Sequence, residues 1–539
     1  MDNFEKTAAI ALITLVSLIF AHFKRGTAEE KPFNHNKTTA DLIFVPVEVI
    51  NKIPGPLFLF FLLAVALLSS HLTQNEETVF ATALQWADPQ FILNSSVFTE
   101  PAGARLGINI VAGYALKILT FEQLALCGRI VSYVLYAFSL SKLFKMARLK
   151  NLEIAFIFIF YYLGCQSLFA AEWLYGGFES KTIAYPFLFL AIYYYLQERF
   201  TAAVVLHALA TFFHVLIGFW FALSLGLFLL IKKYPIKTIF KYSGLYLLIL
   251  SPFLAYLIKV IFLDMSVVDN IDEINYFYTH KRIPHHVCPF TEGFTLSDAF
   301  KQGVYGGLFL FGATLSSFFL TKNKKLKDIS LLAICIYIQL LTSFFIARFD
   351  QYGGFIKYLP FRQGSLAVLF GVLILSYAIK EVVKNSRVLL SLNTVFLVLL
   401  ILPVWDHIKQ MPERLVPDTT VLDIEAYVRD HTPPGSVIYF HGFGLRDAIH
   451  EFSRKTRRDK FVSLLVSPSG TAKFEDWYTR LNVKYKIEKD FLLINKARER
   501  YRIDYVLSNT KLNYNFLTFI YEANNLKLYK FVESENTSY

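Results

Sequence analysis

Residues 200–231 read FTAAVVLHALATFFHVLIGFWFALSLGLFLLI and contain no Asp, Glu, Lys or Arg. A helix of about 20 apolar residues crosses the hydrocarbon core of a bilayer, so this stretch is too long for a single span. We divide it into two spans, 200–213 and 216–231. The sequence Phe212-Phe213-His214 marks the division, although no turn residue occurs before Gly218.

Similar apolar stretches recur along most of the chain. Of its 539 residues, 55% are hydrophobic and 18% are charged, and a mean hydropathy of +0.43 excludes an ordinary water-soluble enzyme. Backbone amides in lipid need partners within their own segment, and no alternating pattern supports a barrel, so the spans are predicted to be helices. About twelve spans of bilayer length are predicted, at 7–23, 56–72, 123–141, 152–171, 181–197, 200–213, 216–231, 240–262, 302–321, 328–347, 363–380 and 387–404.

Lys and Arg residues set the predicted orientation. The net charge is +12, and in polytopic membrane proteins these residues collect in cytoplasmic loops. The stretch 101–121 is apolar enough to cross the membrane. The loops after it carry their Lys and Arg residues on the cytoplasmic side, however, only if this stretch lies along the membrane interface. Cytoplasmic loops then hold about twice as many Lys and Arg residues as outer loops, and both termini face outward. The positive charge therefore indicates orientation, and no nucleic-acid partner is predicted.

The chain is predicted to have two domains. Residues 1–404 form a multi-span transmembrane domain whose outer first loop is 73–122, and residues 405–539 form an extracytoplasmic α/β domain. In the second domain, 421–431 is an amphipathic helix, 437–440 and 503–507 are strands, and 519–522 pairs with 526–531 as a hairpin. The predicted fold class is an α-helical polytopic membrane protein with a C-terminal α/β domain, located in the cytoplasmic membrane.

Ionisable residues that are unusual in so apolar a chain gather on the predicted outer face. Because charges near a bilayer are costly, such groups at the mouths of helices are functional candidates. Two acidic residues follow the second span, and the other candidates occupy later outer loops. The candidate site residues are Glu76, Glu77, Glu179, Lys181, His214, Arg282, His285, His286, Arg348 and Arg362.

Several candidates also have structural explanations. Thr73-Gln74-Asn75-Glu76 fits a capping box, in which Glu76 would only satisfy a helix N-terminus. Glu179 and Lys181 could form an exposed ion pair, but that would leave the neighbouring Gly176-Gly177 unexplained. His214 could be a hydrogen-bonded packing residue. These alternatives remain open from the sequence alone.

The segment Arg282-Ile283-Pro284-His285-His286 is predicted to bind an anion. Adjacent His side chains in an extended loop point apart, so a metal site is disfavoured even with Cys288 nearby. Arg offers paired donors to a phosphate or pyrophosphate, and imidazole adds a proton or a neutral contact. No metal and no cofactor are predicted, and the sequence gives no support for a divalent metal. No nucleotide-binding glycine loop or His-Glu-x-x-His sequence is present.

Four pieces of sequence carry a resemblance to a known family. They are Asn75-Glu76-Glu77 after an early span, 177–185 (GFESKTIAY), 213–218 (FHVLIG) and 282–286 (RIPHH). Together with the many spans, the interfacial segment and the outer α/β domain, their order resembles the GT-C superfamily of membrane glycosyltransferases. They look like a bacterial branch of that superfamily without an assigned function, and the resemblance covers nearly the whole chain.

The resemblance implies transfer of a hexosyl or pentosyl group from a polyprenyl-phosphate-linked donor on the outer face of the cytoplasmic membrane. The acceptor would be a hydroxyl of a glycan, lipid or protein. An acidic residue of the first outer loop would be the general base, which places that role on Glu76 or Glu77, and basic residues would hold the carrier phosphate. The family usually has Asp there, whereas here Asn75 precedes two glutamates. Two alternatives are a non-catalytic protein that binds the lipid carrier and a transporter or flippase of envelope precursors.

Overall fold

The computed structural model describes residues 50–98, 103–161, 166–169, 172–260, 270–291, 295–382, 405, 408–417, 420–445, 450–468 and 471–532. The predicted spans 7–23 and 387–404 lie outside these residues. Each of the ten other predicted spans contains a helix. The helices are α1 (Gly55–Leu67), α2 (Gln74–Ala87), α3 (Leu106–Ala115), α4 (Phe121–Met146), α5 (Asn151–Ile159), α6 (Ser180–Leu196), α7 (Phe200–Phe213), α8 (Val215–Ile231), α9 (Ile236–Ile258), α10 (Ile271–Tyr276), α11 (Pro284–Val287), α12 (Asp298–Leu320), α13 (Lys324–Ala347), α14 (Gly364–Val382), α15 (Asp423–His431), α16 (Phe452–Thr456), α17 (Thr471–Lys489) and α18 (Ile494–Tyr501).

Within the described residues, five helices are long and apolar enough to cross a membrane. They are Phe121–Met146, Ile236–Ile258, Asp298–Leu320, Lys324–Ala347 and Pro360–Glu381. The helices Gly55–Leu67, Phe200–Phe213 and Val215–Ile231 are apolar but shorter. This composition is consistent with a multi-pass membrane protein. The total of twelve spans and the side of the membrane on which each loop lies remain predictions.

The helices pack as one continuous bundle. Helix α4 contacts α1 and α6, α6 contacts α7, and α7 contacts both α8 and α9. On the other side, α8 packs on α13, which packs on α12 and α14. Four aromatic rings join this second group: Phe344 lies 4.9 Å from Phe169 and 4.8 Å from Phe361, and Phe361 lies 5.2 Å from Phe300. This packing fixes the short 3-10 turn Pro360–Gln363, which carries Arg362.

The stretch predicted to lie along the interface contains only a short helix. Helix α3 has 10 residues, which is about 15 Å of helix at the usual rise and about half the thickness of a bilayer core. It therefore cannot cross a membrane by itself. Its apolar residues Ile110, Val111 and Tyr114 are exposed, as an interfacial helix requires.

The C-terminal region, residues 423–531, contains a five-stranded sheet of order β2-β1-β3-β5-β4. Its strands are β1 (Val437–His441), β2 (Asp459–Lys460), β3 (Ile503–Ser508), β4 (Leu517–Ala523) and β5 (Leu526–Phe531). β2, β1 and β3 are parallel, β5 pairs antiparallel with β3, and β4 pairs antiparallel with β5. At the hairpin turn, Asn524 and Asn525 both adopt positive φ, as a two-residue hairpin turn requires. The predicted helix, strands and hairpin are all present.

Buried polar contacts attach the C-terminal region to the helical bundle. The Asp459 carboxylate is fully buried and accepts hydrogen bonds from the Ser95 hydroxyl at 2.8 Å and the Ser96 amide at 2.6 Å. Burial raises the pKa of Asp459, against the effect of these donors. Arg414 donates to the carbonyls of Val65 and Ala66 at the end of α1. The loop after α2 and the end of α1 are thereby held against later parts of the chain.

Candidate functional site

A cavity of about 770 Å³, here called the central cavity, lies where α2, α6 and the α7–α8 junction meet the C-terminal region. Its volume is in the range of small-molecule binding sites. Seven of the ten predicted site residues line it, although they are far apart in sequence. These are Glu179, Lys181, His214, Arg282, His285, His286 and Arg362. The remaining three, Glu76, Glu77 and Arg348, are not among its lining residues.

The Glu76 side chain is fully buried and its carboxylate accepts hydrogen bonds from several donors. One oxygen accepts from the Thr73 amide at 2.8 Å, and Thr73 in turn caps α2 in a capping box. The other oxygen accepts from Arg129 Nε at 3.0 Å and from the Phe178 amide at 2.5 Å. A second Arg129 nitrogen also contacts the carboxylate. The capping interpretation is therefore the one observed.

Arg129 extends this network to the end of α1. Its guanidinium donates to the carbonyl of Ser69 at 2.7 Å and to the carbonyl of His71 at 2.8 Å. Only 3% of its side chain is exposed, so its charge depends on Glu76 for compensation. The pair joins three segments of the chain behind the cavity wall.

The glycine pair Gly176-Gly177 has a steric role in this arrangement. A Cβ atom on Gly177 would lie 2.6 Å from the carboxyl carbon of Glu76, and one on Gly176 would lie 2.5 Å from the Trp173 ring. Both distances are far below van der Waals contact. The absent side chains let the segment pass close to Glu76, which places Trp173 and Glu179 on the cavity wall.

Glu77 lies beside a separate, smaller pocket. Arg454 of α16 holds its carboxylate with two nitrogens, at 2.8 and 2.7 Å, and also contacts Glu122 at 3.1 Å. Burial raises the pKa of Glu77, although the Arg454 charge and hydrogen bonds oppose that shift. The contact attaches the C-terminal region to α2 and α4.

Glu179 is the acidic residue whose environment best suits proton transfer. It forms the N-cap of α6, and 12% of its side chain is exposed, toward the cavity that it lines. Burial raises the pKa of its carboxyl, while Lys181 at 4.0 Å and a 3.3 Å hydrogen bond from Asn75 lower it by less. A carboxylate with a raised pKa is a stronger base.

Glu172 has the opposite character, although it lies on the same cavity wall. Burial alone would raise its pKa, but Arg362 at 3.3 Å and Lys181 at 3.2 Å outweigh burial and lower the pKa to about 2. The Lys181 ammonium also lies 3.6 Å from the centre of the Trp173 ring, as a cation–π contact. Glu172 is therefore a permanent anion that positions two cations.

His214 marks the break between α7 and α8. Its backbone is extended, so it ends one helix and begins the next. Arg362 Nη1 donates to its Nε2 at 2.5 Å. Burial and the nearby Arg362 charge lower the pKa of His214 well below its usual value. The imidazole is therefore neutral and accepts from Arg362.

Arg282 connects the cavity to the C-terminal region. It ends a π-helical turn, Phe277–Arg282, and donates to the carbonyls of Leu464 and Leu465 at 2.7 Å each. His285 and His286 follow on α11, so the prediction of an extended loop with the two side chains pointing apart was wrong: the ring centres are 4.1 Å apart. Within the described residues, no group of three or more His, Cys, Asp or Glu side chains is placed to hold a metal ion.

Arg348 lies elsewhere, at the end of α13, where its guanidinium is 5.8 Å from the Phe290 ring centre. Conversely, the structure adds lining residues that were absent from the predicted set. Glu172 and Trp173 lie next to a predicted segment and could have been included on that ground. Arg105 and the segment 464–468 carry no local signal, because only the tertiary fold brings them to the cavity.

An apolar cleft of about 520 Å³ lies between α8 and α13 beside the central cavity. Phe219, Leu223 and Ile338 are among its lining residues, and Leu216 lines both the cleft and the central cavity. The central cavity and the apolar cleft therefore share one lining residue. The combination fits an amphiphilic ligand with an anionic head and a hydrocarbon chain.

The charges of the central cavity are predominantly positive. Among the described lining residues, Arg105, Lys181, Arg282 and Arg362 are cationic and Glu172 and Glu179 are carboxylates, which gives these residues a net charge of +2 when the His residues are neutral. The central cavity can therefore hold an anion and offers one carboxylate able to accept a proton.

No protein-family model matches the chain, and no curated protein is significantly similar to it.

Proposed function

We propose that the protein transfers a sugar from a polyprenyl-phosphate-linked donor to an acceptor hydroxyl. The observation that carries the proposal is a single cavity that combines a carboxylate of raised pKa, Glu179, with a net positive charge. The apolar cleft that shares the lining residue Leu216 with this cavity supports a donor with a hydrocarbon chain. The outer face of the cytoplasmic membrane is the proposed location.

In the proposed reaction, the acceptor oxygen attacks the anomeric carbon of the donor as its proton passes to Glu179. The bond from that carbon to the phosphate oxygen breaks, and the lipid phosphate leaves with the bonding electrons. Arg282 and Arg362 would stabilise the negative charge on the leaving phosphate. Glu172 would keep Lys181 and Arg362 in place.

This assignment moves the role of general base away from Glu76 and Glu77. Neither residue lines the central cavity, and both are engaged by arginines. Glu179 lies next to Asn75 of the first loop, because the side-chain amide of Asn75 donates a hydrogen bond to the Glu179 carboxylate. The acidic first loop would then support the base instead of supplying it.

The test compares Glu179→Gln with Glu76→Gln/Glu77→Gln in purified full-length protein given a polyprenyl-phosphate sugar, with release of polyprenyl phosphate as the readout. Loss of a general base lowers turnover by about 10²–10⁴-fold, and we expect that loss for Glu179→Gln at an unchanged melting temperature. Glu499→Gln, on the exposed face of α18, is the matched control. Unchanged turnover in Glu179→Gln would remove it as the base.

A second candidate is a protein that binds the lipid carrier without turnover. The observation that favours it concerns Glu76, which stands where the resemblance places the general base. Its carboxylate already accepts hydrogen bonds from Thr73, Arg129 and Phe178. Saturable binding of polyprenyl phosphate with no release from any sugar donor would support this candidate. Measured flux of a lipid-linked sugar across proteoliposomes would instead favour a flippase.

A further inference from the structure

A second large cleft, here called the basic cleft, lies at the N-terminal ends of β1 and β3. Its volume is about 550 Å³, within the range of small-molecule sites. It shares no lining residue with the central cavity. Asn94 and Ser96 from the loop after α2 form one wall, and the C-terminal region forms the rest. The function proposed above makes no use of it.

The lining of the basic cleft is strongly cationic. Arg480, Arg500, Arg502 and Lys530 line it, and the only carboxylate among the described lining residues is Asp504, so the lining carries a net charge of +3. Asp504 also accepts a hydrogen bond from the Val437 amide at 2.8 Å. Like charges at one site repel each other, and an anion bound between them would relieve the repulsion.

The ring of Tyr501 contacts two of these cations. The Arg480 guanidinium lies 4.8 Å from the centre of the Tyr501 ring and is also fixed by Asp476, whose carboxylate accepts from its Nε at 2.8 Å. Arg500 lies 5.3 Å from the same ring. Ordering the cations beforehand reduces the entropy that ligand binding must overcome.

Arg502 occupies a backbone position that does not favour an arginine. It follows the last residue of α18 with φ +54° and ψ +50°, the left-handed conformation in which Gly is preferred. Arg148 and Arg457 also adopt positive φ, so the backbone alone does not distinguish Arg502. What distinguishes Arg502 is its place in the lining of the basic cleft.

The loop wall of the cleft is firmly attached. Asp459 of β2 accepts hydrogen bonds from the amide of Ser96 at 2.6 Å and from its hydroxyl at 3.0 Å. Gly435, with φ +82°, lies close to the same loop, because a Cβ atom there would be 3.5 Å from the Leu93 carbonyl. The loop wall is therefore held against the C-terminal region.

The shape of the cleft selects among anions. A volume of about 550 Å³ is much larger than an inorganic phosphate needs, and the exposed ring of Pro434 provides an apolar face beside the cations on which a sugar ring can pack. We propose that the basic cleft binds an anionic saccharide, bearing phosphate or carboxylate, through Arg480, Arg500, Arg502 and Lys530. The proposal goes beyond the transfer reaction and does not depend on it.

The test titrates full-length protein in phosphatidylcholine nanodiscs with glucose 1-phosphate, glucuronic acid and neutral glucose, followed by calorimetry. We expect saturable binding of the two charged sugars, weakened at least about tenfold in Arg500→Gln/Arg502→Asn. Neutral glucose should bind more weakly than either. The charge-matched control Lys489→Gln/Lys496→Gln removes two exposed cations of α17 and α18 outside the cleft and should bind as the wild type does.

Further arms separate this site from other sources of binding. The central cavity is also cationic, so Arg362→Gln, which changes that cavity alone, should leave the binding unchanged. Equal binding by the double variant and the wild type, or no saturable binding by the wild type, overturns the proposal. Competition by phosphatidylglycerol nanodiscs would also overturn it, in favour of a lipid headgroup. If the double variant fails to fold, Lys530→Gln on β5 decides by the same tenfold criterion.

Discussion

Replacement of Glu76 by Gln tests whether this residue supports the fold or performs chemistry. The change keeps the size of the side chain but removes the negative charge that compensates Arg129, of which 3% is exposed. Leaving one partner of a buried ion pair uncompensated costs about 3–5 kcal/mol. A Gln amide also has one acceptor oxygen in place of two, so its NH2 group would face a donor whether it turns toward Thr73 or toward Phe178, each of which now donates to the carboxylate. We therefore expect a loss of unfolding free energy in this range.

The assay is denaturant unfolding of the purified protein in detergent, followed by tryptophan fluorescence. A double-mutant cycle with Arg129→Met isolates the ion pair, because Glu76→Gln/Arg129→Met removes both charges. We expect the double variant to be more stable than either single variant. The surface control Glu499→Gln should change the unfolding free energy by less than about 0.5 kcal/mol.

One result would refute this reasoning. If Glu76→Gln unfolds at the same denaturant concentration as the wild type but no longer transfers sugar, Glu76 acts in the chemistry. The base assignment made from the sequence would then be preferred over Glu179.

Three further predictions follow from the cavity wall. Gly177→Ala should destabilise the protein by about 1–3 kcal/mol through overpacking, since its Cβ would lie 2.6 Å from the buried carboxyl carbon of Glu76. The control Gly226→Ala should not destabilise it, because a Cβ atom there meets no atom within 4 Å. Thermal unfolding compares the two variants. On the acid side, kcat/KM for sugar transfer should fall with a midpoint above pH 4.5, because burial raises the pKa of Glu179. Glu172, with a pKa of about 2, stays ionised at that pH. A midpoint below pH 4.5 would contradict the assignment of Glu179 as the base. Glu172 stabilises the fold above its unfolded pKa of 4.5, and this contribution is lost as the pH falls toward about 2. Arg362→Gln removes the largest of the charges that lower this pKa, so acid unfolding should begin at a higher pH, as measured by circular dichroism.

The sequence predicted the helices well, because long apolar runs carry a strong local signal. The hairpin around Asn524 and Asn525 was equally predictable, since this turn requires positive φ at both residues. The predicted orientation of the loops placed the candidate site residues on one face, and that orientation stays a prediction. The agreement for the helices and the hairpin rests on short-range patterns.

The capping role of Glu76 was predictable from the local sequence, but its ion pair with Arg129 was not. Its partner Arg129 is 53 positions away and lies within an apolar helix, so no local pattern pairs the two. The steric need for Gly177 arises only when its segment passes Glu76. The basic cleft was also missed, because Arg480, Arg500 and Lys530 come from two helices and a strand that meet only in the folded sheet region. Such contacts depend on tertiary packing.

The hydrogen bonds from Arg282 to the carbonyls of Leu464 and Leu465 have a consequence for biosynthesis. One wall of the central cavity consists of residues that leave the ribosome long after the helices around it have been inserted. Until that segment has been translated and has folded onto the bundle, the central cavity lacks this wall and Arg282 lacks these two carbonyl acceptors. Any premature stop upstream of residue 464 should therefore yield a protein that inserts but cannot close its binding chamber.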